Sequence, residues 1–442
     1  MAAETVRMRH FGVVAPAFPS HFSAMEALSV ALIERGHQVT FLHRAEAARW
    51  LGDARIGFHA LGRSSHPAGT LAAALRRAAN PGSPWGLRRV IGDMADTTGM
   101  FCRELPQAVK SLGIDVILGD QMEAAAGMVA QALSLPFISV ACALPINREA
   151  GVPLPVMPFA AGRDERAVRM CQGSSDVYDW LMAPHRRSIA ANAQALGLPV
   201  RDGMHDWLSP WLQLSQTVAG FDFPRLQAPA HLHHVGPLRG APGGSRTIDT
   251  SGAPDLAEVG ADRPFIFASL GTLQGHRHAL LLRIAKGCRL AGAQLLVAHC
   301  GGLDALQCEQ LKQAGATWVC AFADQQAVLA RADAVVSHAG LNTVMDAIAA
   351  GTPVLAVPIA FDQPGVAARI AHAGIGLRAS ARWASPARIA AQLRRLLDEP
   401  AFARRCTALA NAVRTAGGTA RAADLVEAAL QTSGHDAGAA LA

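Results

Sequence analysis

Short apolar runs alternate with helical patterns through both halves of the chain, and this alternation restricts the fold more than any other feature. Buried strands are predicted at 10–15, 39–43, 114–118, 137–141, 265–269, 294–299, 317–320, 334–337 and 354–357. Helices are predicted at about 23–35, 123–133, 278–290 and 341–350, and through the Ala- and Arg-rich end at 386–430. Strands that alternate with helices form mostly parallel sheets covered on both faces. The sequence therefore predicts an α/β fold with two doubly wound domains.

A stretch rich in proline and glycine, from about 227 to 263, separates the two series of strands and helices. The chain has 442 residues, well above the ~100–200 of one domain, so two domains are expected. The predicted domains are 1–235 and 263–442, joined by a linker at 236–262, with a last helix free to pack back on the first domain. Ligands of such sheets bind at the carboxyl ends of the strands, so a site is expected in the cleft where the two domains face each other.

Composition argues against several classes of protein. The net charge is +6 without a long basic run, and Tyr178 is the only tyrosine, which argues against a nucleic-acid partner. The eight cysteines form no CxxC pair, so no metal site is predicted and a reducing compartment is expected. No apolar stretch reaches the ~18–20 residues of a membrane span. We therefore expect a cytoplasmic protein, with peripheral contact to the inner face of the membrane left open.

The turn after the predicted strand 334–337 has the composition of an anion site. His338 and Gly340 form this turn, and the next helix opens close behind it. A helix N-terminus carries free amides and a partial positive charge, and a glycine lets a phosphate approach the backbone. His338, Asn342 and Thr343 add side-chain donors at the same end. This pattern predicts a diphosphate site that has no P-loop lysine.

Polar residues also follow three other strands of the second half. Asp346, one turn into the helix after His338, offers a carboxylate to a ribose diol, and Phe322 offers a ring to a nucleobase. Asp362 and Gln363 stand just past a strand end, and together they are suited to the several hydroxyls of a hexose. A loop of small residues supplies further amides and hydroxyls to the phosphates, at Ser269, Gly271 and Thr272. The order of these turns along the chain predicts a nucleotide-sugar site.

This order of turns resembles the family that includes the UDP-glucuronosyltransferases and the plant and bacterial UDP-glycosyltransferases, which implies the GT-B fold of two Rossmann-like domains. The resemblance places Phe322 where a tryptophan usually stacks on uracil, the main chain at Ala323 against the base, and Gln325 at the ribose. It implies that Asp346 stands where a glutamate usually binds the ribose. It assigns the diphosphate to His338, Asn342 and Thr343, and the sugar hydroxyls to Asp362 and Gln363. Because Phe322 and Asp346 depart from the usual tryptophan and glutamate, the resemblance leaves open whether the nucleotide is UDP or dTDP.

The same resemblance gives the first half a catalytic role. The run from Pro16 to His21 leaves the first predicted strand and precedes the first predicted helix. In the family a histidine here is the general base, a task suited to an imidazole because its pKa lies near neutrality. Asp120, just past the predicted strand 114–118, matches the aspartate that orients this histidine. The resemblance implies transfer with inversion, from a nucleotide sugar and without any metal or other cofactor.

The acceptor is predicted from a narrower likeness. The segments 11–24, 338–346 and 358–364 resemble those of bacterial carotenoid (zeaxanthin) glucosyltransferases, which implies transfer of glucose from UDP-glucose to a hydrophobic, hydroxylated acceptor. The stretch 63–91 holds five arginines, no acidic residue and Trp85. It suits either an anionic membrane surface or a solvated loop over the acceptor pocket.

Other functions stay open at this point. A polyketide, macrolide or flavonoid-like acceptor fits the same donor motif, as does a sugar-nucleotide epimerase or a non-catalytic nucleotide-sugar-binding protein. His21 and Asp120 favour transfer over the last two. A dinucleotide oxidoreductase is disfavoured because no GxGxxG follows the first strand. The oligomeric state and the number of sugars transferred are not predicted.

Overall fold

The computed structural model describes residues 7–201, 203–240 and 250–436. Its strands are β1 His10–Val14, β2 Gln38–Arg44, β3 Gly57–Leu61, β4 Val116–Asp120, β5 Phe137–Ala141, β6 Leu212–Ser215, β7 Leu232–His234, β8 Phe265–Ser269, β9 Gln294–Ala298, β10 Trp318–Cys320, β11 Ala334–Ser337, β12 Val354–Ala356 and β13 Gly376–Arg378.

Helices connect these strands. They are α1 Pro19–Glu34, α2 Thr70–Ala79, α3 Pro84–Leu112, α4 Ala124–Ala132, α5 Glu165–Leu181, α6 Ala183–Ala195, α7 Gly271–Gln274, α8 His278–Leu290, α9 Ala305–Ala314, α10 Gln325–Arg331, α11 Leu341–Ala350, α12 Gln363–Ala373, α13 Pro386–Asp398, α14 Pro400–Ala416 and α15 Gly418–Asp436. Two short 3-10 helices lie at Ala45–Trp50 and Met204–Trp207.

The strands form two parallel sheets, one in each half of the chain. The first has seven strands in the order β3-β2-β1-β4-β5-β6-β7, and the second has six in the order β10-β9-β8-β11-β12-β13. In each sheet the order reverses once, between β1 and β4 and between β8 and β11. Ligands of doubly wound sheets bind in the crevice at this reversal. The predicted α/β fold with two Rossmann-like domains is therefore confirmed, and it has two candidate crevices.

The continuous apolar runs have their cause in burial on both faces of each sheet. In β1, Phe11 and Val13 belong to the cluster on one face, and the adjacent Val14 belongs to the cluster on the other. A strand covered by helices on both sides has no solvent face, so its residues do not alternate between apolar and polar. This is why short apolar runs located the strands.

Several predicted boundaries were wrong near the site. The first helix begins at Pro19, not near residue 23, because a proline suits the first helical position. His21 therefore lies in the first turn of α1 and does not precede it. β4 extends to Asp120, two residues beyond the predicted end. The predicted loop at 271–275 begins with the single helical turn of α7.

The last helix lies on the first half of the chain. Ala422, Ala423 and Val426 of α15 belong to the same buried cluster as Phe11, and Arg35, just past the end of α1, pairs with two acids of α15. The last helix, α15, therefore packs on the first half of the chain, as the sequence allowed. Of the predicted linker at 236–262, residues 241–249 lie outside the described residues.

Candidate active site

His21 and Asp120 meet at the carboxyl edge of the first sheet. His21 follows β1 and Asp120 ends β4, and these strands are neighbours. His21 Nδ1 lies 2.6 Å from Asp120 Oδ2, across a separation of 99 residues in sequence. An ionised carboxylate only accepts hydrogen bonds, so the Nδ1–H of His21 donates and Nε2 remains as a base. Asp120 is held in turn, because its Oδ1 accepts the backbone N–H of Met122 at 2.8 Å.

The charge around His21 favours its protonated form. Burial by itself lowers the pKa of His21, but the charge and hydrogen bond of Asp120, with the charge of Asp362, outweigh burial and raise the pKa above 6.5. Asp362 comes from the second half of the chain, at the start of α12. Burial raises the pKa of Asp362 above its ordinary value of 3.8, and the charge of His21 opposes that effect. The two halves therefore meet electrostatically at this point.

Direct contacts also join the two halves beside His21. The rings of Phe18 and Phe361 lie 5.9 Å apart. Asn342, at the start of α11, donates from Nδ2 to the backbone oxygen of Ser20 at 3.2 Å. Its Oδ1 accepts from Gln216 Nε2, also at 3.2 Å. The amide of Asn342, predicted to hold a diphosphate, thus binds the first half of the chain in this structure.

The His338 turn packs tightly against two glycines. A Cβ at Gly271 would lie 2.7 Å from the imidazole of His338, and a Cβ at Gly340 would lie 2.4 Å from its Nε2. Ala339, between His338 and Gly340, has a left-handed backbone with φ of 65°. Non-glycine residues rarely adopt this conformation outside tight turns and functional sites. Burial lowers the pKa of His338 to about 4. His338 is therefore neutral near pH 7, so its predicted contribution to a diphosphate site would be hydrogen bonding and not charge.

Replacing His338 by alanine is expected to weaken UDP binding about 10- to 100-fold, the cost of losing a hydrogen bond to a charged group. The Nδ1 of His338 is buried and has no hydrogen-bond partner among the described residues, and the predicted diphosphate would supply one. Isothermal titration with UDP measures the change. The matched control is His372→Ala in the last turn of α12. Unchanged UDP affinity of the His338 variant would remove the residue from the donor site.

Three predicted ribose and phosphate ligands bind one another. Thr343 Oγ1 donates to Gln325 Oε1 at 3.0 Å, and Gln325 Nε2 donates to Asp346 Oδ2 at 2.6 Å. The other oxygen of Asp346 lies 2.8 Å from the Nε of Arg239. Arg239 was missed by the sequence analysis, because it lies in the stretch interpreted as linker and no local pattern marks it.

The remaining predicted residues lie around the same edge of the second sheet. Gln363 Oε1 accepts the backbone N–H groups of Ile359 and Ala360 at 2.9 and 2.8 Å, so its carbonyl oxygen closes the turn beside Asp362. Ser269 ends β8, and its Oγ accepts the N–H of Gly271 at 3.3 Å. Side chains more open to solvent are found at Thr272, Phe322 and Ala323. The structure brings the predicted donor-site residues to this edge of the second sheet, and their binding roles stay predictions.

One group among the described residues has the spacing of metal ligands. It consists of His21, Asp120 and Cys142, whose ligand atoms all lie within 4.8 Å of one another. Burial and the charge of Asp120 raise the pKa of Cys142 well above its ordinary value, so the thiol stays protonated. Because metals bind the thiolate and His21 Nδ1 already bonds Asp120, this group is suited to proton transfer and poorly suited to a metal.

Comparisons with known proteins agree with the family resemblance of the sequence. Residues 285–428 match the glycosyltransferase family 28 C-terminal domain. The chain is 47% identical over 425 residues to a zeaxanthin glucosyltransferase of Pantoea ananas, covering 96% of this chain and 97% of the relative. It is 43% identical to a zeaxanthin glucosyltransferase of Pseudescherichia vulneris, covering 96% and 99%. The crystal structure of the kitacinnamycin glycotransferase has the same fold, with a TM-score of 0.70 at 23% identity, covering 96% of this chain and 99% of the other.

Identity at this level over nearly the whole chain shows the class of protein: it is an enzyme, a glycosyltransferase with the GT-B fold. Within that class it belongs to the UDP-glycosyltransferase family, alongside the zeaxanthin glucosyltransferases. The resemblance carried by the strand-end turns is confirmed.

Proposed function

We propose that the enzyme transfers glucose from UDP-glucose to a hydroxyl group of a hydroxylated carotenoid, in the cytoplasm. The observation that carries the proposal is the His21–Asp120 pair, which interacts across the two halves with the charge of Asp362, a residue predicted to bind the sugar. Relatives that share 43–47% identity are named as zeaxanthin glucosyltransferases, which supports the choice of sugar and acceptor. The donor nucleotide rests on the predicted roles of the strand-end turns.

In the proposed reaction, His21 Nε2 takes the proton of the acceptor hydroxyl as its oxygen attacks the anomeric carbon. The new C–O bond forms on the face opposite the diphosphate, and the bond from the anomeric carbon to the diphosphate oxygen breaks, so the configuration inverts. Asp120 stabilises the imidazolium that results. The N-terminus of α11 and the neutral His338 stabilise the charge that develops on the leaving diphosphate. No metal is needed in this scheme.

The test is a transfer assay with the purified full chain. UDP-glucose is supplied with zeaxanthin, a flavonoid and a macrolide aglycone, and the products are separated by chromatography and mass spectrometry. We expect glucosides of zeaxanthin. Preferred glucosylation of the flavonoid or the macrolide would overturn the carotenoid assignment and leave the transfer chemistry in place. Binding of UDP without any transfer would instead favour a binding protein.

We propose further that the start of α3 contacts the membrane in which a carotenoid dissolves. Trp85 is 74% exposed, and Leu87 beside it is also exposed. Arg88 and Arg89 next to them point to solvent, which adds the positive charge that anionic lipids attract. Leu71, another apolar residue of the arginine-rich stretch 63–91, is buried in the core and so is not part of this surface. No helix within the described residues has both the length and the apolar character needed to cross a membrane.

Replacing Trp85 and Leu87 by serine is expected to reduce binding to vesicles of phosphatidylglycerol by about tenfold, since two exposed apolar side chains lose their burial in lipid. Co-sedimentation with the vesicles measures it. Trp383→Ser is the matched control, because Trp383 is 75% exposed on the other half. Equal losses in the two variants would contradict a specific membrane face at α3.

A further inference from the structure

The carboxylate of Asp346 is enclosed by protein groups. Its side chain is only 7% exposed. Oδ1 pairs with the Nε of Arg239 at 2.8 Å, and Oδ2 accepts from Gln325 Nε2 at 2.6 Å. Gln325 is itself committed, because its Oε1 accepts from Thr343 Oγ1 at 3.0 Å. Both oxygens that a ribose diol would use are therefore already bonded to the protein.

Arg239 is held in place from three directions. Its Nη1 donates to Gln216 Oε1 at 3.0 Å, and its Nη2 donates to the backbone oxygen of Asn342 at 3.0 Å. Its main chain exchanges two hydrogen bonds of 2.9 Å with Thr419 at the start of α15. These contacts join the loop after β6, the helix α11 and the last helix. The guanidinium is thus a fixed part of the fold and does not act as a loose surface side chain.

A carboxylate has about four acceptor sites, so two remain at Asp346, but because its side chain is only 7% exposed, a ribose diol would gain full access only by displacing one of these partners. Displacing Arg239 would leave a largely buried guanidinium without its carboxylate, which is a costly change for any buried ion pair. Displacing Gln325 would also break its bond to Thr343. The contacts favour a structural role for Asp346 over a ribose-binding role.

We propose that Arg239 withdraws Asp346 from the donor and that donor recognition is consequently nearly independent of the ribose 2′-hydroxyl. The enzyme then accepts 2′-deoxynucleoside diphosphate sugars, such as dTDP-glucose, about as well as UDP-glucose. This inference rests on the proposed function only for the identity of the transferred sugar. Arg239 is a positioning residue that acts through Asp346.

The first test compares donors on the unaltered enzyme. We expect kcat/KM for UDP-glucose and for 2′-deoxy-UDP-glucose, which differ in one hydroxyl, to agree within about tenfold. A site built to bind a substrate hydroxyl rejects the analogue that lacks it by about 10⁴-fold. A preference of about 10³-fold or more for UDP-glucose would overturn the inference.

Equilibrium binding separates this inference from the proposed function. Dissociation constants of UDP and 2′-deoxy-UDP, measured by isothermal titration, need no turnover. Similar constants uphold the inference even where no glucoside forms, whereas a large preference for UDP overturns it even where transfer is rapid.

Two variants then test the role of Arg239. Arg239→Met frees Asp346 Oδ1, and we expect the preference for UDP over 2′-deoxy-UDP to rise about tenfold, the value of one new hydrogen bond to a carboxylate. In Asp346→Asn the same ratio should stay as in the unaltered enzyme. A residue with a purely structural role would lower both affinities together and leave their ratio unchanged. A fall of the ratio in Asp346→Asn would show that Asp346 reads the ribose and would contradict the proposal.

Discussion

His21→Ala is expected to lower kcat by about 10²–10⁴-fold, the contribution of a general base, while UDP affinity stays nearly unchanged. The imidazole is positioned by Asp120 at 2.6 Å, and it lies on the half of the chain opposite the donor turns. Its loss therefore removes proton transfer without removing a donor contact. Steady-state transfer assays and UDP titration of the same preparation measure the two quantities.

The matched control is His59→Ala, which changes a partly exposed histidine of β3 in the same half of the chain. We expect its turnover to equal that of the unaltered enzyme. Unchanged turnover of His21→Ala would remove His21 as the base. A parallel loss of UDP affinity would mean that the variant disturbs the cleft and that the test must be repeated with His21→Gln.

The pH profile provides a second measurement of the same pair. Only the neutral imidazole can take a proton, and Asp120 and Asp362 outweigh burial to raise the pKa of His21 above 6.5. The acidic limb of kcat/KM should therefore lie above pH 6.5. Asp120→Asn removes the main opposing charge and should move this limb to lower pH, with a lower plateau. A limb that does not move would show that Asp120 does not control the ionisation of His21.

Arg369→Leu is expected to destabilise the protein by about 1.5–3 kcal/mol, the value of a hydrogen bond to a charged group, because Asp222 loses Arg369 and keeps its second buried partner, Arg225. The Nε of Arg369, in α12, lies 2.5 Å from Asp222 Oδ1, and the two side chains are 0% and 1% exposed. Asp222 follows β6, so this pair joins the two halves of the chain. The guanidinium also stacks on Phe223, 4.3 Å from the ring centroid. Urea unfolding followed by circular dichroism measures the loss.

Arg395→Met provides the control, because Arg395 forms an exposed ion pair with Glu399 within α13. We expect no measurable change there, as is usual for solvated pairs. An equally small change in Arg369→Leu would contradict a stabilising role for the buried pair.

The same pair predicts how stability depends on pH. Burial raises the pKa of Asp222, but the charges of Arg369 and Arg225 outweigh burial and hold it below 3.8. A carboxyl whose pKa is lower in the folded state stabilises the fold fully above its unfolded pKa. The contribution should therefore persist down to about pH 4, near the pKa of an unfolded aspartate, and be lost as the pH falls further. In Arg369→Leu this acid-dependent part should shrink.

Local patterns in the sequence located nine strands and the helices next to them, whereas β3, β6, β7 and the long helix α3 were not predicted. Strands such as β5, β8 and β11 were predicted to the residue, because a strand buried on both faces is a short, unbroken apolar run. The three-residue strand β13 was not predicted, since so short a run carries no periodicity. The start of α1 was predicted about four residues too late, because the apolar Phe18 precedes Pro19 and no polar capping residue marks the start.

The sequence by itself also determined which residues could form the donor site, because polar turns at strand ends keep their order along the chain. Only the tertiary structure decided how these residues are used. It placed His21 against Asp120, turned Asn342 toward Ser20, and committed Asp346 to Arg239. The physical reason is that hydrogen-bond partners compete across distances of tens to hundreds of residues. Which partner is bound depends on how the two sheets face each other, and no local pattern records that.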